Sequence, residues 1–386
     1  MKLKVFNLLL SLMMVLCITG CQNQNAGNIT LPEESPQVEE TQAQATSDDQ
    51  TEAPTSNITV IEATDKETTV SAGEITLSAN ETPTEDTQPA KKQLKTADGK
   101  LIVDLVMFMG QSNMSGCGGN AAQAPSVQPE HGFEFRAISD PTRLYPIQEP
   151  FGVNENQVGG IIEYPGGKKG SLVSAFANAY YEETGVPIVA VSASAGATAS
   201  EYWTRDAIVN DFVERHARAV VWLENDMYSI RHQYVVWLQG ESDADKGVTP
   251  EQYVENMDNI IRPLFIKGVQ KVFIIRPGRT LENLHYFDDI IAAQTQMCKQ
   301  STYYALGSTL LSGFDGSYMV DTWHYNQTAL NYLGNDAGCN VGYYTNTNKE
   351  PCMYDYKYNN TYIPDGYDYP SDTQLEPIQI TSYVAH

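Results

Sequence analysis

The segment Leu101–Met109 (LIVDLVMFM) is almost continuously apolar and stops at Gly110. Such a run predicts a strand buried on both faces of a parallel sheet, where neither side meets water. Three similar runs follow at Pro187–Ser192, Tyr234–Leu238 and Lys271–Ile275. Between and after them, apolar positions recur at helical spacing over Ser171–Thr184, Ala207–Tyr228, Pro250–Ile266 and Tyr286–Gln300, and a further helix is expected to begin near His324. Strand and helix alternate, so the predicted class is α/β, with a parallel sheet between layers of helix. The stretch Gly118–Lys169, rich in Gly, Pro and Gln, reads as irregular. It is either the rim of a pocket over the sheet's carboxyl edge or a plain surface insertion.

The first hundred residues follow a different pattern. A cationic start, Met1-Lys2-Leu3-Lys4, leads into the apolar segment Val5–Ile18, too short for a comfortable membrane span and suited to a secretory signal. It closes on Leu16-Cys17-Ile18-Thr19-Gly20-Cys21, small residues just before a cysteine. This resembles a bacterial lipobox and predicts lipidation of Cys21; an ordinary signal peptide cut nearby is the alternative. Either route takes the chain out of the cytoplasm. Residues 22–98 contain no Phe, Trp or Tyr, and carry 15 acids against 4 bases. Too little apolar surface is present there to offset chain entropy, so a disordered acidic linker is expected, with a reach of roughly 50 Å.

About 285 residues remain beyond the linker, enough for one large domain. The formal charge of −24 excludes nucleic acid as a natural partner, since phosphate binding needs a basic face. The cysteines past the signal (Cys117, Cys298, Cys339 and Cys352) lack metal-ligand spacing. Cys339 and Cys352 read equally well as a bridge or as two thiols. His216 and His232 fall in charged helical surroundings and are expected to be solvated.

Candidate chemistry is concentrated in four short stretches. Gly110-Gln111-Ser112-Asn113-Met114 places a serine just beyond the first strand, where open α/β sheets hold their ligands. Alone, Ser112 would read first as a helix cap. Asp321-Thr322-Trp323-His324 supplies a histidine with an acid three residues earlier. That spacing lets Asp321 fix the tautomer of His324 while the ring takes a serine proton. Donors for an oxyanion are expected from the backbone N–H of Ser112, the N–H of Gly196 in Ala195-Gly196-Ala197-Thr198, and the side-chain amide of Gln239. Gln111, Asn113, Glu241 and Asp243 are the expected substrate or support residues. Asp243 and Asp245 suggest a metal only weakly, because no further ligand cluster accompanies them.

Taken together, Gly110-Gln111-Ser112-Asn113-Met114, Gln239-Gly240-Glu241-Ser242-Asp243 and Asp321-x-x-His324 resemble the sialate O-acetylesterase-type domain, shared with carbohydrate esterase family six within the SGNH hydrolases. The resemblance runs from about Leu101 to Gly338. It implies a three-layer α/β/α sandwich with a flavodoxin-like parallel sheet, and removal of acetyl groups from sugars without a cofactor. By position it implies Ser112 as nucleophile, His324 as base, Asp321 as its orienting acid, and Gly196 and Gln239 in the oxyanion hole. One departure is visible: many relatives carry Trp-Gly-Gly-Thr where this chain has Ala195-Gly196-Ala197-Thr198, which bears on substrate identity more than on catalysis. Glu201 and Trp203 match a family Glu-x-Trp pattern and are expected to pack.

The organisation expected is a lipoprotein signal at 1–21, the linker at 22–98, the catalytic domain at 99–341, and a Tyr-rich tail at 342–386. Eight tyrosines lie between Gly342 and Tyr369, either folded across the domain or stacking on sugar. The partners expected are an acetylated carbohydrate, of sialic acid or xylan type, and a membrane reached through the lipid anchor. Two alternatives remain open on sequence: an esterase for another O-acetylated polymer such as peptidoglycan, and a non-catalytic carbohydrate-binding surface lipoprotein.

Overall fold

In a computed structural model, residues 94–370, 372–378 and 380 are described, all within the compact unit Pro83–His386. The signal segment, Cys21 and nearly all of the linker lie outside the described residues. The expected boundary at 98/99 shifts slightly. Lys95 forms an antiparallel bridge to Leu101, and Ile102 N–H donates to Leu94 O, so the domain begins by residue 94.

The central sheet has seven strands: β1 (Leu101–Gly110), β2 (Gly132–Phe135), β3 (Leu144–Pro146), β4 (Ile188–Ser194), β5 (Tyr228–Leu238), β6 (Lys271–Ile275) and β7 (Tyr304–Ser308). Their order is β3-β2-β4-β1-β5-β6-β7, with β3 antiparallel at one edge and every other pairing parallel. The helices are α1 (Ser112–Ser115), α2 (Val173–Thr184), α3 (Ser200–Trp203), α4 (Asp206–Asn225), α5 (Glu241–Lys246), α6 (Pro250–Ile266), α7 (Asp288–Gln300) and α8 (Gln327–Thr347).

The apolar run of β1 is explained by its two buried faces. Val103, Leu105, Met107 and Met109 enter one core with α4, α6 and α7, while Val106 and Phe108 enter the other with α2 and α8. Each such side chain contributes on the order of 1.5–3 kcal/mol by leaving water. The result is the expected three-layer α/β/α sandwich. Layer spacing on the second face is set by small residues. A Cβ on Gly334 would stand 2.2 Å from Leu172 O, and one on Gly338 2.6 Å from Phe176 O, so only glycine lets α2 and α8 approach this closely.

Several expectations change in detail. The stretch Gly118–Lys169 is not wholly irregular: it carries β2 and β3, which extend the sheet at its edge. The strand expected from Tyr234 begins at Tyr228, because the polar residues before Tyr234 have a buried partner. Asp104 accepts from Arg231 Nε (3.0 Å), the His232 N–H (3.0 Å) and the Tyr180 hydroxyl (2.6 Å). The helix expected near His324 starts at Gln327. Val320 N–H donates to His324 O and Met319 bridges Tyr325, holding this segment extended until the Asn326 side chain caps Ala329 N–H. The boundary expected at 341/342 falls inside α8, which runs to Thr347. Beyond it, β8 (Met353–Asp355) and β9 (Asn360–Tyr362) form a hairpin, and the tail is tied to the domain by Lys271–Glu350, Arg276–Asp355 and Lys357–Asp288 ion pairs. Cys117, Cys298, Cys339 and Cys352 are all free thiols.

His216 is not solvated. It is 1% exposed on the inner face of α4, neither ring nitrogen makes a well-formed hydrogen bond, and burial outweighs nearby Gln233 to push its pKa down to about 4. His232 lies on β5 rather than on a helix. The unfolded chain takes up the His216 proton near pH 6.5, whereas the folded chain refuses it until about pH 4. As pH falls through that window the unfolded state binds more protons, and stability drops by about 3 kcal/mol from this residue. Urea titrations of wild type and His216→Gln between pH 7.5 and 4 are therefore expected to converge as pH falls; parallel curves would contradict the assignment.

Candidate active site

The site is built at the carboxyl ends of β1, β4 and β5. At Gly110, φ is +139°, and an added Cβ would meet Leu238 O at 2.0 Å, so the chain leaves β1 pressed against the end of β5. Gln111 then crosses to the next loop: its N–H donates to Leu238 O (3.0 Å), and its Oε1 accepts from Ser242 N–H (3.1 Å) and Gln239 Nε2 (3.3 Å). Ser112 opens the single turn of α1. Its backbone N–H, at the start of that turn, has no helical acceptor.

Asn113 joins the Ser112 turn to the two other motifs. Its Nδ2 donates to Glu241 Oε1 (2.8 Å) and Trp323 O (3.1 Å), while its Oδ1 accepts from Tyr325 N–H (3.2 Å). These bonds span 128 and more than 200 residues of sequence, and they bring the histidine loop to Ser112. Within that loop, Asp321 Oδ2 lies 2.8 Å from His324 Nδ1, and Oδ1 accepts the N–H groups of Trp323 and His324, each at 2.8 Å. Partial burial works against the Asp321 charge, but these hydrogen bonds and the imidazole outweigh it, so its carboxyl lies below the usual range. With Nδ1 committed to Asp321, Nε2 is the ring atom left for proton transfer.

Ser112 and His324 line one cavity of about 250 Å³, together with Gln111, Tyr164, Ala197, Glu241, Ser242, Asp245 and Trp323. Among the described residues no direct hydrogen bond joins the two side chains. Catalytic hydrogen bonds are commonly long in an unliganded site and tighten around substrate. Glu241 forms part of the wall; burial raises its carboxyl, against the Asn113 hydrogen bond and the charge of His324. Its Oε2 is buried with no hydrogen-bond partner among the described residues.

Two expected oxyanion donors are engaged elsewhere. Gly196 N–H donates to Glu163 Oε2 at 2.8 Å. Glu163 is buried, and its Oε1 accepts from the Tyr164 N–H, so this carboxylate fastens the loop before Lys168 onto the β4 turn. The Gln239 amide is fully buried and donates to Thr198 O (2.9 Å), Gln111 Oε1 and Asp243 Oδ2. It braces the loops and does not line the cavity. Asp243 likewise supports: it accepts from the Ser200 N–H and hydroxyl at the start of α3, and burial raises its carboxyl against those bonds. Trp203 packs as expected, donating from Nε1 to Thr198 Oγ1 and meeting Trp237 edge-on, whereas Glu201, also expected to pack, is exposed.

Five cavity residues were assigned no role in the site from the sequence: Tyr164, Ala197, Ser242, Asp245 and Trp323. Tyr164 belongs to the Gly/Pro-rich stretch read as a possible rim, which was the available signal. Ala197 adopts φ +57°, a left-handed conformation rare for a residue with a Cβ, at the second glycine of the family's Trp-Gly-Gly-Thr. Asp245 had been weighed only as a metal ligand. Among the described residues, no group of three or more His, Cys, Asp or Glu side chains is arranged to hold a metal.

Residues 102–337 match the family model described as SASA, carbohydrate esterase, sialic acid-specific acetylesterase. The chain belongs to this family of carbohydrate-directed acetylesterases, which are hydrolases. Comparison with curated proteins gives no match. Solved structures similar to the chain include a protein from Arabidopsis thaliana, 21% identical over 62% of this chain and 97% of that one, with a TM-score of 0.46. NanS is 15% identical over 64% of this chain and 98% of its own, with a TM-score of 0.45. Axe2, an acetylxylan esterase from Geobacillus stearothermophilus, is 12% identical over 61% and 91%, with a TM-score of 0.35.

Proposed function

We propose that this domain is a serine carbohydrate O-acetylesterase acting through an acyl-enzyme. The observation that carries the reading is the meeting of Ser112 and His324 in one small cavity, with Asp321 held on His324 Nδ1. Ser112 Oγ attacks the acetyl carbonyl as His324 Nε2 takes its proton, and the oxyanion forms against the Ser112 N–H. His324 then protonates the sugar oxygen, which leaves as the alcohol. A water, deprotonated by the same ring, attacks the acetyl-serine and releases acetate, restoring the Ser112 hydroxyl. Asp321 keeps the ring in the productive tautomer and stabilises the imidazolium between steps.

The reading includes an extracytoplasmic, lipid-anchored protein, with Cys21 as the lipidated residue and the acidic linker as the tether. A fluorophosphonate probe applied to the full chain is expected to modify one residue, Ser112, with loss of acetate release from an acetylated chromogenic ester. Peptide mass mapping decides the point. Modification of another serine, or none while hydrolysis continues, would remove Ser112 as nucleophile. Sugar binding without any acetate release would favour the non-catalytic alternative.

A further inference from the structure

The cavity has a one-sided charge. Glu241 and Asp245 are part of its lining and Asp321 stands behind His324, whereas neither Lys nor Arg lines it among the described residues. Two cations of the neighbouring loops are already engaged. Arg279 donates to the carbonyls of Thr280 and Leu281, and Lys168 donates to the hydroxyls of Ser194 and Ser192. Among the described residues, the cavity lining gives a carboxylated sugar no Lys or Arg as the charge-assisted partner that an anion needs to leave water.

The same lining suits a neutral sugar. Tyr164 and Trp323 contribute aromatic surface to the cavity, and Tyr164 is 48% exposed, so a ring face is available to the C–H face of a pyranose. Ionised carboxylates are acceptors only, matched to the O–H donors of a sugar. Asp245 is fixed in that role: Tyr286 donates to its Oδ1 at 3.1 Å and meets Trp323 edge-on at 5.5 Å, tying the acid to the aromatic wall. A sugar hydroxyl gains from this acid, and a sugar carboxylate is repelled by it.

We infer that the cavity selects O-acetylated neutral sugars over carboxylated ones such as sialic acid, with Asp245 as the residue that discriminates. The inference rests on the acetylesterase reading above and narrows its substrate class. It departs from the sialic acid specificity in the family's description.

The test uses the full chain and four acetyl esters, with acetate release as the readout: p-nitrophenyl acetate, an O-acetylated methyl xyloside, 9-O-acetyl-N-acetylneuraminic acid, and the methyl ester of that acid. The xyloside is expected to exceed the acetylated acid in kcat/KM by about tenfold or more, and the methyl ester, which differs from the acid in charge, to recover most of the difference. Asp245→Asn keeps the volume and the Tyr286 contact, and is expected to raise the acid-to-xyloside ratio of kcat/KM several-fold. Equal rates for acid and xyloside, or no gain for the methyl ester, overturn the selectivity. An unchanged acid-to-xyloside ratio in Asp245→Asn overturns the assignment to Asp245. Absence of p-nitrophenyl acetate hydrolysis overturns the esterase reading itself, and the inference with it.

Discussion

Ser112→Ala is expected to lower the turnover of acetyl esters by about 10⁴-fold or more, while leaving the melting temperature within about a degree of wild type. The loss is large because the substitution removes the attacking atom, and His324 and Asp321 then have no proton to move. Residual activity would come from binding and from donors that remain in place. The fold is expected to be indifferent for a separate reason. Ser112 anchors nothing through its hydroxyl among the described residues, whereas its neighbours Gln111 and Asn113 make the bonds that join the loops. Paired measurements of kcat and thermal unfolding separate the two effects. Wild-type turnover by the variant would dismiss the proposed nucleophile, and a large drop in melting temperature would show that the hydroxyl holds structure.

Arg276→Ala is expected to destabilise the domain by about 3–5 kcal/mol. Arg276 is fully buried beyond the end of β6, donates from both terminal nitrogens to Asp355 on β8, and also reaches Thr295 Oγ1 at 2.9 Å. Truncation leaves the Asp355 carboxylate buried without its cation, which costs far more than the intact pair contributes. For a domain of this size the melting temperature should fall by roughly 10 °C. The double variant Arg276→Met/Asp355→Leu removes both charges and should recover much of the loss. An unchanged melt for Arg276→Ala would mean that the tail beyond α8 is not an integral part of the domain.

How much of this molecule was legible in the sequence follows the range of the interactions involved. The strand β6 was readable to the residue, and β1 nearly so, because a strand buried on both faces has to be apolar throughout. Strands β2, β3 and β7 are short and gave no comparable run. The Asp321–His324 pair was legible for another reason: the two residues sit three apart, so their 2.8 Å contact is a local one. Gly196 and Gln239 were placed correctly on the sheet's carboxyl edge, yet their donors were misassigned. Glu163 takes the Gly196 N–H from 33 residues away, and Thr198 O, 41 residues away, shares the Gln239 amide with Asp243. No hydrophobic period or motif spacing encodes which distant acceptor a donor will meet. His216 shows the same limit, since a polar neighbourhood in sequence gave no warning of a buried helix face.

The sequence by itself determined the layer architecture, and it singled out the serine and histidine that share one cavity and the aspartate paired with that histidine. Only the tertiary structure decided which donors remain free around Ser112, that the cavity carries acids with no Lys or Arg among the described residues, and that the tail is fastened by ion pairs, two of them buried. Secondary structure and adjacent pairs are dictated by local periodicity and steric preference. Charge balance and hydrogen-bond partnership depend on which loops meet after folding, and here those loops are separated by as many as 212 residues.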